Sequence, residues 1–584
     1  MRTGMASDLY VGEEKIVFGF DIGTTQTAVA FVHLQDTMTP QVKSVTQWPG
    51  QEDLPTVVHY DAYGQALSYG ASALENATDD ESLAKWFKLH LHPSTMRTST
   101  GAGLEIPPLP FGVTKKQVYT DFLKYIYAHA ISFFIDHSPD GKIIWDRVKS
   151  KVEIVLAIPN GWDLAQHSFL RDVIVLAKVL PQGHDPKRLM FVSEAEASVH
   201  YALHYTNGER WLKPGMKFCV LDAGGSTVDT TLYECSAVTP KLELKEVTSS
   251  DCVQAGGVFV NRDAEKLLRL KFRGSQFSKD ENIKEMMAIF ESKTKRKYDG
   301  SSDPSVITFG RKTDNDPDYG INKGKFSLTS AEVATTFQNV IKDISESFQS
   351  ILERANNDCQ SFSWSEVLQE KNSAKGINTI SIDDGSKKAA AEGAVIWYTR
   401  QTVVARASRA HFGTDTTVAY NSELREHRQR QGQSRLDING VQRINWHFHV
   451  WCKKNEIIRD TEPRRFAYTQ RWSMLLDINE ALKEPYKLHV FACDNTEAQY
   501  WLKDTGEEDL MPGMRRVCTI VADLSNLRGS LKPITSSTTG MRYYEMPILV
   551  NIYFGQTALS AEICWVEGDE LRKSQLQLIP DSLL

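Results

Sequence analysis

Paired cysteines, a long apolar run and a signal-like start are all missing from this sequence. Its eight cysteines are scattered singly, with no C-x-x-C pair, which argues against both a zinc site and a disulfide framework. No apolar run is long enough to span a bilayer, and Met1–Glu14 lacks the apolar core of a secretory signal. We therefore expect a soluble, cytoplasmic protein.

An excess of positive charge is also lacking. The 67 lysines and arginines are outnumbered by 74 acidic residues, which gives a net charge of −7. This balance provides no basic footprint, so we expect neither nucleic acid nor a membrane as a partner. What the chain does have is length, because 584 residues with 41% hydrophobic content suffice for several cores. We expect a multidomain globular protein.

Two glycine-rich turns, each set between apolar strands, are the most informative stretches. In Lys217–Glu234 an apolar strand leads into D-A-G-G-S-T-V-D and returns as a second strand. Residues 15–34 repeat the plan around D-I-G-T-T. One such turn alone is typical of an ordinary hairpin, but two copies indicate one module used twice.

Both turns contain the residue types that bind phosphate. Turn amides and hydroxyls donate to phosphate oxygens, glycine lets the backbone approach closely, and an aspartate on each turn can hold hydrated magnesium. Asp21 and Asp222 are the candidates for magnesium, held through its waters. The candidate phosphate ligands are Gly23, Thr24, Thr25, Gln26, Gly224, Gly225, Ser226 and Thr227.

The motifs D-x-G-T-T and D-x-G-G-S-T-x-D resemble the phosphate-binding hairpins of the actin, hexokinase and heat shock protein 70 ATPase superfamily. The overall layout resembles the heat shock 70 kDa protein 12 branch and its fungal relatives. The resemblance implies an α/β fold of two actin-like lobes, built from duplicated ribonuclease H-like domains, with ATP or ADP and Mg²⁺ between the hairpins. It also implies a C-terminal β-sandwich-like domain.

Three further candidates, and a catalytic role for Asp21, follow from the resemblance. Asp229 and Glu194 would orient the attacking water, Asp21 would act at the metal, and Lys88 would reach the γ-phosphate. Lys88 lies in a predicted helix, Ser82–His90, three residues after Lys85 on the same face. A solvated surface is the other interpretation of these two lysines, and an acid that stabilises a helix N-terminus is the other interpretation of Glu194.

Two more segments match the family pattern in part. Gly256 and Gly257 resemble the L-G-G-x-x-F-D turn of the second lobe. Glu291 and Lys295 resemble the E-x-x-K-R residues that clasp adenosine, although their spacing is one residue longer. A charged helix surface is the alternative for this pair.

Small residues predict one close helix pair. Ala195, Ala197 and Ser198 follow a Ser193/Glu196 capping pattern, and the matching small-residue segment is Ala389–Ala394. In the family these helices form the hinge between the lobes.

Two departures from the family support other functions. Between Cys359 and Ala389 there is no G-G-x-x-x-S turn for the adenine ring, and His167 stands where the family usually has arginine. Either nucleotide affinity is weakened, or the sequence is a truncated gene model or splice form. A non-hydrolysing regulator or scaffold and a small-molecule kinase therefore remain alternatives to a weak ATPase.

The last third of the chain is predicted to form a basic linker, 413–434, followed by a β-rich domain, 435–584. We expect this domain to bind protein or peptide clients as chaperones do. Five strands are predicted, at 443–451, 487–493, 515–524, 547–554 and 560–567. The linker arginines fit a solvated loop. His447 and His449 alternate with apolar residues, which favours an exposed strand face over a metal site.

These patterns give the predicted organisation. The first lobe covers 15–205, with 36–117 as its outer part and a completing helix within 386–412. The second lobe covers 206–385, with 256–328 as its outer part.

Overall fold

The computed structural model describes residues 9–50, 52–93, 96, 106–239, 241–355, 361–363, 378–379, 389–459, 463–506, 508–525, 531–554, 560–567, 570–573 and 577–580. The chain forms two compact units. The first unit comprises Met1–Trp162, Leu170–Glu243 and Ser250–Thr402, and the second comprises Asp163–Phe169, Leu244–Ser249 and Val403–Leu584. The fold is mixed α/β, as predicted.

The described strands are β1 (Lys15–Ile22), β2 (Gln26–Leu34), β3 (Val42–Ser44), β4 (Leu54–Pro55), β5 (Val57–Tyr60), β6 (Ala66–Tyr69), β7 (Leu83–Lys85), β8 (Glu153–Ile158), β9 (Leu189–Ser193), β10 (Lys217–Ala223), β11 (Val228–Ala237), β12 (Glu243–Glu246), β13 (Asp251–Val253), β14 (Ser305–Thr308), β15 (Lys325–Leu328), β16 (Ser361–Ser363), β17 (Asn378–Thr379), β18 (Val403–Ala407), β19 (His411–Ala419), β20 (Arg435–Leu436), β21 (Gln442–Cys452), β22 (Ile457–Arg459), β23 (Arg464–Ser473), β24 (Tyr486–Cys493), β25 (Met514–Ala522), β26 (Pro533–Thr535), β27 (Arg542–Tyr553), β28 (Ser560–Glu567), β29 (Glu570–Lys573) and β30 (Gln577–Pro580). The described α-helices are α1 (Gly70–Asn76), α2 (Lys115–His137), α3 (Gly141–Val148), α4 (Leu164–Leu176), α5 (Glu194–Tyr205), α6 (Gly208–Trp211), α7 (Gly257–Lys271), α8 (Asp280–Ile289), α9 (Lys295–Lys297), α10 (Ser330–Arg354), α11 (Ala389–Arg400), α12 (Arg425–Arg428) and α13 (Ile478–Ala481). None of them is long and apolar enough to cross a bilayer.

The first unit contains two sets of strands built on one plan. Antiparallel β1 and β2 are extended by parallel β8 and β9, and antiparallel β10 and β11 are extended by parallel β16 and β17. The central strands are nearly continuous apolar runs because both of their faces are buried. This repetition agrees with the expected reuse of one module.

Strands β16 and β17 fall between Cys359 and Ala389, where the sequence predicts a single strand at 380–383. That predicted strand lies outside the described residues.

The segment before the first long helix differs from its prediction. Instead of a helix over Ser82–His90, the chain forms β7 and then a 3₁₀ turn, Phe87–Leu91. Trp86 separates them with a left-handed φ of 52°, which ends the extended strand, and β7 is held by its pairing with β5. Lys85 and Lys88 therefore do not share a helix face.

Helices α5 and α11 pack closely, as their small residues predict. Ser193 caps α5 by accepting a hydrogen bond from the Glu196 amide at 3.2 Å. The Glu196 carboxylate accepts a hydrogen bond from Trp397 Nε1 at 2.7 Å, which ties α5 to α11. A Cβ atom on Gly393 would lie 1.9 Å from the Ala197 carbonyl oxygen. Only glycine therefore fits at this helix crossing.

Replacing Gly393 with alanine is expected to lower the free energy of unfolding by about 1–3 kcal/mol, because the new methyl group meets rigid backbone. In an uncrowded helix the same change would stabilise by roughly 1 kcal/mol, so the sign of the effect reports the close packing. Thermal unfolding measures it. Gly432→Ala, in open space, is the control, and a stabilised Gly393→Ala would contradict the packing.

The second unit contains the five strands predicted from the sequence, as β21, β24, β25, β27 and β28. One described sheet has the order β20-β21-β19-β24-β25-β30, and another has β23-β27-β28-β29 with β26 beside β27. Val490 and Ile520 of the first sheet and Ile548, Val550 and Ile563 of the second belong to one buried apolar cluster. Burial of this shared core holds the two sheets together.

Part of the predicted linker is ordered structure of this unit. Residues 413–434 include most of β19 and all of α12. Arg430 is buried, donates from Nη2 to the Lys503 carbonyl oxygen at 2.6 Å, and stacks its guanidinium 4.5 Å from the Trp501 ring centroid. For Arg430 the solvated-loop interpretation is wrong, because these contacts replace the water that the guanidinium loses.

Candidate functional site

The two glycine-rich turns meet inside the first unit. Thr24 and Ser226 are both buried, and their hydroxyl oxygens lie 2.6 Å apart. In the second turn the Gly224 amide donates to the Thr227 carbonyl oxygen at 2.9 Å, which closes the hairpin. Turns about 200 residues apart in sequence thus form one surface of amides and hydroxyls.

Gly256 supports the second turn from behind. Its amide donates to the Ser226 carbonyl oxygen at 3.1 Å, and the Gly257 amide donates to the Gly224 carbonyl oxygen at 3.1 Å. A Cβ atom on Gly256 would lie 2.5 Å from the backbone nitrogen of Ser226. Gly256 is also the N-cap of α7, so a helix N-terminus, which favours anions, adjoins the turn.

Four carboxylates surround one lysine beside these turns. Asp222 and Asp229 are directly opposite each other on β10 and β11, and Asp21 occupies the matching position on β1. The charges of Glu194 and Lys88 act on Asp21 and Asp222. The structure therefore brings all the predicted catalytic and metal-binding acids into one cluster.

Lys88 is buried within this cluster. Its Nζ donates to Glu194 Oε1 at 2.6 Å and lies 5.7 Å from the ring centroid of Trp162. Trp162 in turn donates from Nε1 to His92 Nδ1 at 2.9 Å. Burial alone would lower the pKa of Lys88, but the charges of Glu194 and Asp21 outweigh it and raise that pKa, so the ammonium form persists.

The four carboxyl groups of this cluster outnumber its one lysine. Burial, followed by the charge of Glu194, raises the pKa of Asp21 and of Asp229. Burial likewise raises the pKa of Asp222 to about 6, although a hydrogen bond from Ser198 Oγ at 2.6 Å favours its ionised form. A cluster of acids that resists ionisation is one that an added cation would stabilise.

Two neighbours of Asp229 are absent from the predicted set. Asn160 donates its backbone N–H to Asp229 Oδ1 at 3.1 Å and its Nδ2 to Thr231 Oγ1 at 3.3 Å. The Cys252 thiol forms a second hydrogen bond to Asp229. Asn160 follows the proline that ends β8, so its position near the turns is readable from sequence, whereas no sequence signal marks Cys252.

The extra residue between Glu291 and Lys295 is absorbed by a π-helical turn, Phe290–Thr294. Such turns insert one residue into a helix and are frequent at functional sites. With this turn in place, the Lys295 Nζ lies 3.6 Å from the Glu291 carboxylate and 2.8 Å from Asn261 Oδ1. Lys295 Nζ also lies 3.5 Å from the Gly257 carbonyl oxygen, next to the second turn.

Gln26 lies in a strand, after the first glycine-rich turn. It begins β2 and pairs with Pro55 of β4. Glu291 is half-exposed, and it is connected to the neighbourhood of the second turn by its ion pair with Lys295. The functional roles of all these residues stay predictions.

The residues present suit a magnesium-bound polyphosphate. Asp21 and Asp222 are oxygen ligands of the kind that Mg²⁺ takes through its waters, and the turn amides and hydroxyls are phosphate donors. Among the described residues there is no group of three or more His, Cys, Asp or Glu side chains arranged to hold a metal directly.

The comparisons with known proteins agree with the sequence resemblance. No family model matches the chain. It is 23% identical to mouse (Mus musculus) heat shock 70 kDa protein 12A over 366 residues, which cover 50% of this chain and 52% of that protein. It is 23% identical to human (Homo sapiens) heat shock 70 kDa protein 12B over 321 residues, 43% of this chain and 44% of that protein.

The chain thus spans about half the length of the curated relatives it matches. The matches confirm the predicted resemblance to the heat shock protein 70 family and to its heat shock 70 kDa protein 12 branch.

Proposed function

We propose that this protein binds Mg-ATP between the two glycine-rich turns and hydrolyses it slowly, as a heat shock protein 70-like ATPase. The observation that carries the proposal is the contact between Thr24 and Ser226, 2.6 Å apart, beside the acids of both hairpins. A pair of donor-rich turns with a carboxylate on each suits a polyphosphate whose charge is balanced by a divalent cation.

The roles of the protein residues follow from their chemistry. The turn amides and hydroxyls bind the phosphates, and Lys88 neutralises charge on the transferred group. Asp229, with Glu194 nearby, accepts the proton of the attacking water and orients it. Bound magnesium, held by Asp21 and Asp222, would supply charge neutralisation of the phosphates. Such chemistry depends on positioning and electrostatics.

The proposal extends to the organisation of the chain. The two sets of strands in the first unit would be the cores of two actin-like lobes, with α5 and α11 as the hinge. The β-rich second unit, a β-sandwich in this interpretation, would bind protein or peptide clients and respond to nucleotide. A chaperone role in the cytoplasm follows from the same analogy.

Calorimetric titration with Mg-ATP and Mg-ADP, followed by single-turnover hydrolysis, tests the proposal. Binding with slow release of phosphate supports it. If neither nucleotide binds at millimolar concentration, the protein is not an ATPase. Binding without hydrolysis favours a non-hydrolysing regulator, the alternative that the missing G-G-x-x-x-S motif motivates.

Replacing Gly256 with alanine is expected to weaken Mg-ATP binding by roughly tenfold or more. The new Cβ would lie 2.5 Å from the Ser226 nitrogen, so the phosphate-binding turn must shift, and lost donor contacts to charged groups are worth about 1.5–3 kcal/mol. Calorimetry measures the change. Gly432→Ala is the matched control, and unchanged affinity in Gly256→Ala would place the nucleotide elsewhere.

A further inference from the structure

A pocket of about 630 Å³ lies in the second unit, and its described lining includes none of the residues assigned to ATP. Strands β19, β21 and β24 of one sheet and β23 of the other supply its described lining. Most of these lining residues have hydrogen-bonding side chains. Nearly all of the lining residues are exposed or half-buried, so the pocket is open to solvent. Its volume falls in the range of small-molecule sites, about 300–1,000 Å³.

Trp446 departs from the strand pattern at this pocket. Alternation along β21 predicts that Trp446 is buried with Ile444 and Phe448, which are 1% and 2% exposed. Instead Trp446 is 41% exposed, has a left-handed φ of 65° and lines the pocket. The pairing of β21 with β19 shifts register here, which marks a β-bulge. Bulges and strained bulky residues occur preferentially beside ligand sites, where they redirect a side chain.

A relay of hydrogen bonds sets the tautomer of His449 in the lining. Trp451 Nε1 is a donor only, so the Tyr468 hydroxyl oxygen, 2.5 Å away, accepts from it. The Tyr468 proton is then directed to His449 Nδ1, at 2.9 Å. A neutral His449 must consequently hold its proton on Nε2, and burial lowers its pKa, which favours the neutral form. The pocket gains a fixed N–H donor.

Two arginines in the lining converge on one carboxylate. Arg443 Nε donates to Asp437 Oδ2 at 3.0 Å, and Arg471 Nη1 lies 3.4 Å from the same oxygen. Arg471 Nε donates to Glu545 at 2.7 Å. These bonds fix both guanidinium groups but leave the Arg443 Nη groups without a hydrogen-bond partner in the described part of the chain. Arginine presents five donors in a fork suited to carboxylates and phosphates.

We propose that this pocket binds a small organic anion, a molecule with a carboxylate or phosphate group on a hydroxylated body. Arg443 and Arg471 would hold the anionic group, and His449 and the neighbouring threonine, asparagine and glutamine side chains would bind the hydroxyls. The lining also includes one acid, Asp415, whose pKa is raised by burial. This site is separate from the proposed nucleotide site and does not depend on it.

Calorimetry on the full chain tests the proposal with three probes: glucose 6-phosphate, citrate and uncharged glucose. At least one anion should bind, and glucose should bind much more weakly. Arg443→Gln should weaken that binding by about tenfold to a hundredfold, the range for a charge-assisted hydrogen bond. Arg542→Gln, which removes an exposed arginine outside the pocket, should leave it unchanged.

Tyr468→Phe provides a second variant, because it keeps the ring and removes the hydroxyl that orients His449. It should weaken the same probe several-fold, and it should lower the thermal midpoint because it leaves the buried Trp451 Nε1 without its acceptor. Measured below that midpoint, it also covers the case in which Arg443→Gln fails to fold. Absence of binding by both anions at millimolar concentration overturns the proposal. Binding of glucose as tightly as glucose 6-phosphate also overturns it. Anion binding that neither variant alters overturns it too, since that binding would belong to another site such as the two turns.

Discussion

Lys88→Met is expected to lower the free energy of unfolding by about 3–5 kcal/mol, the cost of leaving a buried partner charge unpaired. Lys88 is 4% exposed and Glu194 is 9% exposed, and their 2.6 Å contact is the shortest link between the 3₁₀ turn and α5 among the described contacts. Removing the ammonium takes away the cation that bonds Glu194, whose charge lies close to Asp21. Denaturant unfolding, compared at the transition midpoint, measures the loss.

Lys85→Met is the matched control, because it removes the same charge three residues earlier. Lys85 pairs with Asp80 at 2.7 Å, but both side chains are partly exposed, and such surface pairs contribute about 0–1 kcal/mol. Adding Glu194→Gln to Lys88→Met should recover much of the stability, because the stranded charge is removed. Equal losses in Lys88→Met and Lys85→Met would contradict a buried ion pair.

The two glycine-rich turns could be located from the sequence because their signal is local. Strand, glycine turn and strand follow one another within about twenty residues, and the same plan recurs at Asp21 and at Asp222. The α5 and α11 pairing was equally readable, since small residues such as Ala197 and Gly393 have few explanations other than close approach.

The environment of Lys88 could not be predicted in the same way. Its sequence, with two lysines three apart, favours an amphipathic helix, and β7 forms instead because pairing with the distant strand β5 overrides local preference. Burial of Lys88 depends on Glu194 and Trp162, which are remote in sequence. The position of Cys252 beside Asp229 could not be predicted either, because it also depends on contacts between segments that are apart in sequence.

Trp446 and Arg430 show a second kind of limit. A period of two assigns Trp446 to the buried face, but a bulge shifts it by one position, and a single extra residue reverses the face of a side chain. A run of arginines predicts solvent exposure, yet Arg430 is buried because its guanidinium stacks on Trp501 and donates to a backbone carbonyl oxygen. In both cases a partner from elsewhere in the chain decides the outcome.

Asp229→Asn is expected to slow single-turnover ATP hydrolysis by about 10²–10⁴-fold, the usual contribution of a positioned proton acceptor. Asparagine preserves the shape of the side chain and can still accept the Asn160 N–H bond, but its amide cannot take a proton from water. Mg-ATP affinity should change little, because the two turns proposed to bind phosphate are intact. Rapid-quench measurement of phosphate release from one bound ATP gives the rate.

The same variant should raise the thermal midpoint. Burial and the charge of Glu194 raise the pKa of Asp229, so above the ordinary pKa of an aspartate its ionisation favours the unfolded chain. Asparagine does not ionise and therefore does not carry this cost. Lower activity combined with greater stability is typical of a residue retained for its chemical role. Asp251→Asn, one strand away and bonded to Ser347 at 2.8 Å, is the control and should hydrolyse normally. Hydrolysis by Asp229→Asn at the wild-type rate would exclude Asp229 as the proton acceptor.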